Sequence, residues 1–262
     1  MEIGAALVTG SAKRLGRAMI LDLASRGWAV AVHYNGSADD AEATTEEARK
    51  LGAPSAVTLQ ADLLDEAQTA PLIGRATEAL GRPLTLLVNN ASIFEYDEIT
   101  TATRESWDRH LESNLRAPFV LTQAFAAQCP PAGVSDGAPV ASGLVINMLD
   151  QRVHKLNPTF MTYTIAKMGL WAFTRTAAQG LAPRIRVNAI GPGPTLANDR
   201  QTDEHFNRQQ AATILQRGAN PTDICAALRY FIEARSVTGQ MLAVDGGQHL
   251  IWQTPDIIGL SE

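Results

Sequence analysis

Residues 7–16 read Leu-Val-Thr-Gly-Ser-Ala-Lys-Arg-Leu-Gly, a short apolar run that leads into a glycine-containing turn. An amphipathic stretch with helical spacing follows the turn, and a second apolar run begins near residue 29. This order of strand, turn, helix and strand is typical of a unit that binds a dinucleotide, with the pyrophosphate at the helix N-terminus. Glycine in such a turn can also serve steric needs alone, but here the surrounding context is complete. We therefore expect a nucleotide-binding turn.

Short apolar runs alternate with amphipathic stretches along the whole chain, as in βα units around a parallel sheet that is buried on both faces. We predict an α/β fold, a single-domain Rossmann-type doubly wound parallel sheet of about seven strands with helices on both faces, covering residues 1–262. Strands are predicted at 5–8, 29–33, 55–60, 84–89, 143–148, 186–190 and 241–244. Helices are predicted at 16–26, 38–51, 66–80, 104–127, 159–180 and 222–233.

Two segments interrupt this alternation of apolar runs and amphipathic stretches. Residues 129–142 are rich in proline, glycine and alanine, which predicts an extended surface loop. Residues 191–218 open with Gly-Pro-Gly-Pro and are long and polar, which predicts a mobile lid over a substrate. The terminal segment 250–262 carries too much apolar surface for a free tail, and we expect it to contact a neighbouring subunit or to fold back on its own chain.

Composition limits the classes of partner. The chain has 262 residues, 45% of them hydrophobic, and a formal net charge of −5 without a basic run. This argues against nucleic acid or an anionic membrane as the main partner and favours a small molecule. We see neither a signal peptide nor an apolar stretch long enough to cross a bilayer, so we predict a cytoplasmic protein. Cys129 and Cys225 lack disulfide or zinc-ligand spacing, so we expect reduced thiols and no metal site.

Residues 150–167 contain a candidate proton-transfer set, Asp150, Tyr163 and Lys167, in the pattern D-x12-Y-x3-K. Tyr163 and Lys167 are four residues apart, so on a helix both side chains leave the same face. A nearby cation favours the phenolate and makes the hydroxyl more useful as an acid or base near neutral pH. Taken alone, the pair could equally be exposed and lie over apolar neighbours. The nucleotide-binding unit favours catalysis.

The residues at the end of the second predicted strand indicate which type of nucleotide binds. Residues 33–37 read His-Tyr-Asn-Gly-Ser and lack the acidic residue that binds the ribose 2′-hydroxyl of NAD. Asp39 and Asp40 come later, in the expected first turn of the next helix, where carboxylates suit the helix dipole. Because Lys13 and Arg14 lie in the first turn, we predict NADPH rather than NADH. The alternative is that Lys13 and Arg14 are solvated loop charges.

With these motifs the chain resembles the short-chain dehydrogenase/reductase family over nearly its whole length. The matching residues are the TGxxxxxG turn, Asp62-Leu63, Asn89-Asn90-Ala91, Asn114, Tyr163, Lys167, Gly191-Pro192-Gly193 and Asp245-Gly246-Gly247. The resemblance implies that Tyr163 donates a proton, that Lys167 holds the nicotinamide ribose and lowers the tyrosine pKa, and that Asn114 supports a water-linked proton path. It also implies a homotetramer. The expected cofactor contacts are Gly10, Lys13, Arg14, Leu15, Gly16, His33, Tyr34, Asn35, Ser37, Asp62, Leu63, Asn89, Ala91, Ser92, Tyr163, Lys167, Pro192 and Gly193.

Two departures from the family pattern narrow the resemblance. Most members carry glycine in place of Arg14 and serine in place of Asp150. Both differences are similar to the pteridine reductases, whose turn reads TGxAKRxG and whose catalytic set is Asp, Tyr and Lys. His33-Tyr34, Ser92 and Phe94 agree with this subgroup, in which the aromatic ring at the position of Phe94 stacks the pterin against the nicotinamide. Phe94 could instead be a plain core residue, and Asn89-Asn90-Ala91 could be a turn that ties neighbouring strands together.

One position disagrees with the subgroup. Gly36 stands where arginine is common, which removes one phosphate ligand, although Arg14, Ser37 and His33 remain to hold a 2′-phosphate.

Asp150 points to the type of bond that is reduced. A serine would donate a hydrogen bond to a carbonyl oxygen, whereas a carboxylate accepts N–H bonds and favours nearby positive charge. We therefore expect an NADPH-dependent reductase that acts on the C=N bond of a dihydropterin or dihydrofolate-like ring, with Phe94, Asp150 and Tyr163 at the substrate. The alternative for Asp150 is that it only caps a loop or pairs with Arg152.

Two other functions stay open at this point. The first is a general carbonyl or 3-oxoacyl reductase of the same family, in which Asp150 is incidental. The second is a non-catalytic binding protein that senses NADP, although such proteins usually lose the Tyr/Lys pair that this chain keeps. The enoyl-reductase branch spaces its tyrosine and lysine further apart than Tyr163 and Lys167 are here.

Overall fold

The computed structural model describes residues 3–197 and 202–254. Within these residues lie the strands β1 (Ala5–Val8), β2 (Ala29–Tyr34), β3 (Ala56–Gln60), β4 (Leu86–Asn89), β5 (Gly133–Ser135), β6 (Ala138–Val140), β7 (Gly143–Met148), β8 (Ile185–Pro192) and β9 (Met241–Val244). Seven of them form one sheet in the order β3-β2-β1-β4-β7-β8-β9, and every neighbouring pair in it is parallel. The predicted doubly wound α/β fold is confirmed.

Helices connect the strands across both faces of the sheet. They are α1 (Arg14–Ser25), α2 (Ala38–Lys50), α3 (Glu66–Thr69), α4 (Leu72–Leu80), α5 (Arg104–Leu111), α6 (Ala117–Gln128), α7 (Met161–Leu181), α8 (Asp203–Ala211) and α9 (Pro221–Glu233). A π-helical turn, Glu112–Arg116, joins α5 to α6, and a 3-10 turn, Gln151–Val153, follows β7. None of the helices in the described part of the chain is long and apolar enough to span a membrane.

The sheet is buried on both sides because successive side chains of a strand point to opposite faces. In β1, Ala6 and Val8 join a cluster that includes residues of α1 and α9, whereas Ala5 and Leu7 join a second cluster with residues of α4 and α6. The strand therefore reads as a continuous apolar run rather than an alternating one. This packing fixes the carboxyl ends of the strands as one rigid edge.

Two local predictions needed correction, and the lid predicted at 191–218 stays a prediction. The helix expected over 66–80 is divided into α3 and α4, with Pro71 at the break, since proline has no N–H to continue the helical ladder. The loop expected over 129–142 contains the antiparallel hairpin of β5 and β6, whose turn places Asp136 and Gly137 at positive φ. The segment 191–218 begins inside β8 and contains α8, and its residues 198–201 lie outside the described residues.

Candidate active site

The candidate site lies at the carboxyl edge of the sheet, where the strand order reverses between β1 and β4. In open α/β sheets ligands bind at this crevice. A cavity of about 350 Å³ opens here, and seven of the predicted cofactor residues line it: Gly10, His33, Asn35, Asp62, Leu63, Ala91 and Ser92. Leu64, Ile93, Arg109 and Ser113 complete the lining. The fold therefore brings residues at or just after the carboxyl ends of β1, β2, β3 and β4 to one cleft.

The turn after β1 has the shape that a close backbone approach requires. Gly10 has φ +60, which favours glycine, and a Cβ atom on Gly16 would lie 2.4 Å from the carbonyl oxygen of Gly10. No acidic residue occupies the first turn of α1. The N-terminal amides of α1 are thus suited to an anion, as the sequence predicts.

His33 supports this turn from within the protein. Its Nδ1 accepts a hydrogen bond from the Gly10 amide at 2.9 Å, and its Nε2 lies 3.2 Å from the carbonyl oxygen of Ala61. Because Nδ1 is the acceptor, the proton of the neutral ring is on Nε2 and is donated to Ala61. Both ring nitrogens are therefore engaged, which leaves neither for a 2′-phosphate. The role of His33 as a phosphate ligand is replaced by one of holding the turn.

The burial of His33 predicts a pH dependence of stability. Burial lowers its pKa to about 4 from a usual 6.5. Between these values the unfolded chain binds the proton more readily than the folded chain does, so stability is lost as the pH falls. We expect wild type to lose about 2 kcal/mol of unfolding free energy through this group between pH 7 and pH 5. His33→Asn keeps an acceptor for the Gly10 amide but removes the titrating group. Its free energy of unfolding, measured with urea, should therefore change by about 2 kcal/mol less than that of wild type between pH 7 and pH 5.

The matched control for this prediction is His205→Asn, which replaces an exposed histidine on α8. It should leave the pH slope of wild type unchanged. Parallel curves for wild type and His33→Asn would contradict the proposed burial of a neutral imidazole.

The two cations of the turn already have partners in the protein. Lys13 pairs with Asp40 at 2.7 Å, in the first turn of α2 as predicted for that carboxylate. Arg14 donates to the carbonyl oxygens of Ala197 at 2.8 Å and Leu196 at 3.2 Å. Arg14 also has φ 55, a conformation that favours glycine. The backbone at this position is therefore one that glycine adopts more readily than arginine.

Other predicted cofactor residues have structural contacts as well. The side chains of Leu15 and Tyr34 pack against the core on the α1 side of the sheet. Ser37 is the N-cap residue of α2 and makes no side-chain cap bond. Gly193 approaches β9 so closely that a Cβ atom would lie 2.6 Å from Cβ of Asp245, and Pro192 ends β8 beside it. Cofactor contacts at these positions stay predictions.

The Asn89-Asn90-Ala91 turn ties neighbouring strands together, as one alternative held. The side-chain amide of Asn90 donates to the carbonyl oxygens of Thr9 at 2.8 Å and Gly10 at 3.1 Å. The Ala91 amide donates to the Thr9 hydroxyl at 2.9 Å. Asn89 donates to Oδ1 of Asn147 at 2.8 Å, while its own side-chain oxygen is buried without a partner. The turn after β4 is therefore held rigidly against the turn after β1.

Asp150 and Tyr163 meet directly. The Tyr163 hydroxyl donates to Oδ2 of Asp150 at 2.9 Å, although the two residues are thirteen positions apart. The other carboxylate oxygen accepts the Arg152 amide at 2.8 Å and so caps the turn that follows β7. The carboxylate therefore caps a loop, as one alternative held, and also faces the phenol, while its role at the substrate stays a prediction.

Tyr163 and Lys167 are buried, which excludes the alternative of an exposed surface pair. Their exposed fractions are 5% and 2%. The Lys167 ammonium donates to the carbonyl oxygen of Met148 at 2.8 Å and lies 5.6 Å from the centre of the Tyr163 ring. Burial lowers the pKa of Lys167 to about 8. The predicted helical spacing thus places both groups in one enclosed site.

The expected lowering of the tyrosine pKa was wrong for this arrangement. Burial raises the pKa of Tyr163 well above its ordinary value, and the charge of Asp150 and the hydrogen bond to it raise it further. The Lys167 ammonium is directed to the Met148 carbonyl instead of the phenol oxygen. The hydroxyl therefore keeps its proton at neutral pH, which is the state that a proton donor needs.

Phe94 lies beside Tyr163, and its predicted contact with a flat substrate stays a prediction. The two ring centres are 4.7 Å apart in an edge-on arrangement. Phe94 also stacks on Phe160, with ring centres 4.1 Å apart and an interplanar angle of 8°. The Arg152 guanidinium lies 5.9 Å from the centre of Phe94 and 5.2 Å from that of Phe160. Phe94 is half-buried and does not belong to the hydrophobic core clusters of the described residues.

Phe160 could not be predicted from the sequence, and Arg152 was predicted only as a possible partner of Asp150. Phe160 immediately precedes α7 and adopts the left-handed backbone conformation, with φ 54. No spacing pattern marks such a residue, because its contact with Phe94 depends on how two loops meet.

Asn114 lies in the π-helical turn and is fully buried. Its side-chain oxygen accepts the Ile93 amide at 2.9 Å, and its side-chain nitrogen donates to the Ile93 carbonyl oxygen at 2.8 Å. It therefore holds the segment that carries Phe94, and a π-helical turn is common at functional sites. Its part in a proton path stays a prediction. In the described ranges, no group of three or more His, Cys, Asp or Glu residues is placed to hold a metal ion.

Comparison with protein families and curated relatives identifies similar chains. A family model described as enoyl-(acyl carrier protein) reductase, of the short-chain dehydrogenase/reductase type, matches residues 10–249. The 3-oxoacyl-(acyl-carrier-protein) reductase FabG of Staphylococcus aureus is 32% identical over 250 residues, which cover 94% of this chain and 98% of that protein.

Two solved structures are more similar in sequence. FolM alternative dihydrofolate reductase 1 from Brucella suis, in complex with NADP, is 45% identical with a TM-score of 0.89, and the match covers 97% of this chain and 98% of that one. The protein of the same name from Brucella canis, also complexed with NADP, is 45% identical with a TM-score of 0.87 and covers 97% of both chains. The likeness therefore extends over nearly the whole chain.

Proposed function

The chain belongs to the short-chain dehydrogenase/reductase family of NADP-dependent oxidoreductases, and we propose that it reduces the C=N bond of a dihydropterin or dihydrofolate-like ring. The observation that carries this proposal is the Asp150 carboxylate, which accepts the Tyr163 hydroxyl at 2.9 Å beside the ring of Phe94. The 45% identity to a protein described as an alternative dihydrofolate reductase supports it.

The cleft has the features that NADPH requires. Gly10 and Gly16 allow a close backbone approach at the N-terminus of α1, and Asp62 and Leu63 line the cavity further along the edge. Lys13, Arg14 and Ser37 would hold the 2′-phosphate, and Lys167 the nicotinamide ribose. When bound, NADPH supplies the hydride.

Tyr163 supplies the proton in this proposal. Reduction of a C=N bond places hydride on carbon and a proton on nitrogen, so a neutral acid is needed at the nitrogen. The raised pKa of Tyr163 keeps its hydroxyl protonated, and the hydrogen bond to Asp150 fixes where that hydroxyl lies. Burial of Tyr163 and Lys167 keeps bulk water away from the phenol and the ammonium.

Asp150 favours an imine over a ketone. As the ring nitrogen gains its proton, positive charge develops on the C=N unit, and a nearby carboxylate stabilises that charge. The same carboxylate cannot donate a hydrogen bond to a ketone oxygen, which would gain negative charge instead. Phe94 offers a half-buried aromatic surface for a flat ring.

The second candidate function is 3-oxoacyl reduction, which the 32% identity to FabG favours. The two candidates differ in the group that is reduced, C=N or C=O, while Tyr163 and Lys167 serve both. The residue at position 150 therefore discriminates between them. For the enoyl reduction named by the family model, the four-residue spacing of Tyr163 and Lys167 is unfavourable.

The deciding experiment is a comparison of steady-state rates. With NADPH held constant, kcat/KM is measured for dihydrobiopterin, dihydrofolate, a 3-oxoacyl thioester and a simple ketone. We expect the two dihydropteridine substrates to exceed the carbonyl substrates by at least about tenfold, which corresponds to 1.4 kcal/mol of transition-state binding. Faster turnover of the thioester would favour the second candidate. If NADPH bound and no substrate consumed it, the chain would be an NADP-sensing protein.

We also propose a cytoplasmic homotetramer. Large apolar side chains are exposed on α5 and α7, namely Trp107, Ile165 and Met168, and they are suited to contacts between helices of neighbouring subunits. Of the terminal segment 250–262, residues 255–262 lie outside the described residues. The carbonyl oxygen of Ile251 accepts a bond from Lys155 of the same chain at 3.0 Å. Light scattering after size-exclusion chromatography measures the assembly, and a monomer would refute it.

A further inference from the structure

Three buried polar side chains lie behind the candidate active site and have no part in the mechanism above. Asp97 follows β4 in a loop, His110 lies on α5 and Thr162 lies in the first turn of α7. Their exposed fractions are 2%, 0% and 2%. Buried polar groups are costly unless they are hydrogen-bonded, and these three bond to one another.

Asp97 caps α7 from 65 positions away in the sequence. Its carbonyl oxygen accepts the Phe160 amide at 2.8 Å, and its Oδ1 accepts the Thr162 amide at 3.2 Å. The N-cap residue of α7 is Phe160, whose side chain makes no cap bond. Asp97 therefore supplies the acceptors that a local cap would provide, and its negative charge suits the N-terminus of a 21-residue helix.

The side chains form a directed series of hydrogen bonds, which we name the Asp97 chain. Nε2 of His110 accepts the Glu95 amide at 3.1 Å, so the proton of the neutral ring is on Nδ1. Nδ1 lies 2.7 Å from the Thr162 hydroxyl and donates to it. The Thr162 hydroxyl in turn donates to Oδ2 of Asp97. Each donor in the Asp97 chain has one acceptor, so these hydrogen bonds run in one direction, from the Glu95 amide to the Asp97 carboxylate.

The ionisation states of His110 and Asp97 agree with this direction of the hydrogen bonds. Burial lowers the pKa of His110, which keeps the ring neutral. Burial acts to raise the pKa of Asp97, but hydrogen bonds from Thr162 and Ser106, together with His110, outweigh burial and lower the pKa, which keeps the carboxylate charged.

The Asp97 chain connects the two segments that meet at the substrate. Glu95 and Asp97 follow Phe94 in the loop after β4, and Thr162 immediately precedes Tyr163. The His110 ring also lies edge-on to the Tyr163 ring, with centres 6.0 Å apart. A displacement of either segment would change the distance between the Phe94 ring and the Tyr163 hydroxyl.

We infer that Asp97, His110 and Thr162 are positioning residues that fix the Tyr163 hydroxyl relative to the ring of Phe94. The inference rests on the proposed roles of Tyr163 as proton donor and Phe94 as the substrate-facing ring. We therefore expect the Asp97 chain to affect the chemical step. It should have little effect on cofactor binding, since the cavity at the nucleotide turn is lined by other residues.

The test uses Thr162→Val, which keeps the shape of the side chain and removes the hydroxyl. Misplacement of reacting groups by about 1 Å can reduce a rate by about 100-fold, so we expect kcat to fall between about 10-fold and 100-fold. KM and the Kd for NADPH should stay within about twofold of wild type. Thr162→Ser restores the hydroxyl and should recover most of kcat. Thr122→Val is the matched control, because Thr122 is a buried helical threonine bonded only within α6, to Pro118 at 2.7 Å.

An unchanged kcat in Thr162→Val would overturn the inference. So would a loss that Thr162→Ser does not recover, or one matched by an equal rise in the Kd for NADPH, since either indicates a general structural role. If Thr162→Val does not fold, Asp97→Asn decides the matter: the same fall in kcat without a change in Kd supports positioning, and wild-type kcat refutes it. All variants are assayed with the best substrate of wild type. Preference for a thioester would therefore refute the pteridine proposal and leave this test intact.

Discussion

Replacing Asp150 with serine is expected to reduce kcat for dihydropterins by about 100-fold to 10,000-fold, the range associated with loss of a group that assists proton transfer. The carboxylate no longer stabilises positive charge on the C=N unit, and the Tyr163 hydroxyl loses its acceptor at 2.9 Å. Removal of the negative charge also removes one cause of the raised pKa of Tyr163. The Kd for NADPH, measured by fluorescence titration, should stay within about twofold of wild type.

The structure indicates that Asp150→Ser removes the carboxylate without disturbing the fold around it. Asp150 also caps the turn after β7 through the Arg152 amide, and serine is about as good a cap as aspartate. The fold around position 150 should therefore survive, and melting temperatures would verify it. A serine can donate to a ketone oxygen, so carbonyl substrates should lose little activity or gain some. If dihydropterin turnover were unchanged, the assignment of Asp150 and the C=N preference that follows from it would fail.

Tyr163→Phe is expected to lower kcat by about 100-fold to 10,000-fold with every reducible substrate, because it removes the proton donor of both candidate reactions. The change deletes one oxygen atom and keeps the ring that contacts Phe94 edge-on at 4.7 Å and His110 at 6.0 Å. Binding of NADPH and the unfolding free energy should be nearly those of wild type. Rapid-quench measurement of a single turnover separates the chemical step from product release.

Tyr230→Phe is the matched control for this prediction. Tyr230 is half-exposed on α9, so the same loss of a hydroxyl should leave kcat unchanged. If Tyr163→Phe kept more than about a tenth of wild-type kcat, another group would have to supply the proton, and the mechanism proposed for both candidate functions would be wrong.

Much of the fold could be predicted because its determinants are local. The seven strands of the parallel sheet are buried on both faces, so each reads as an apolar run, and the helices between them keep their own spacing. The break at Pro71 and the β5–β6 hairpin were missed. The first depends on where one proline falls in a helical pattern, and the second on a turn whose residues Asp136 and Gly137 adopt positive φ.

The residues of the candidate site could be predicted better than the contacts that they make. The spacing of Tyr163 and Lys167 correctly predicts that they share one face of a helix. Their electrostatics could not be predicted, since burial and Asp150 raise the tyrosine pKa and Lys167 donates to a carbonyl on β7. His33 was correctly placed at the nucleotide turn, but its ring nitrogens bind Gly10 and Ala61 rather than facing a phosphate.

The sequence by itself determined the βα order, the glycine turn after β1 and the pattern D-x12-Y-x3-K, because each depends on the geometry of a single turn or helix. Only the tertiary structure decided that Asp150 reaches Tyr163, that Phe160 covers Phe94, that Asp97 caps α7 through the Thr162 amide and that His110 meets the Thr162 hydroxyl. These contacts join residues between 13 and 66 positions apart, where the path of the chain through the packed layers sets which side chains meet. No local spacing encodes that path, because burial and hydrogen bonding are satisfied only when the whole sheet and its helices are in place.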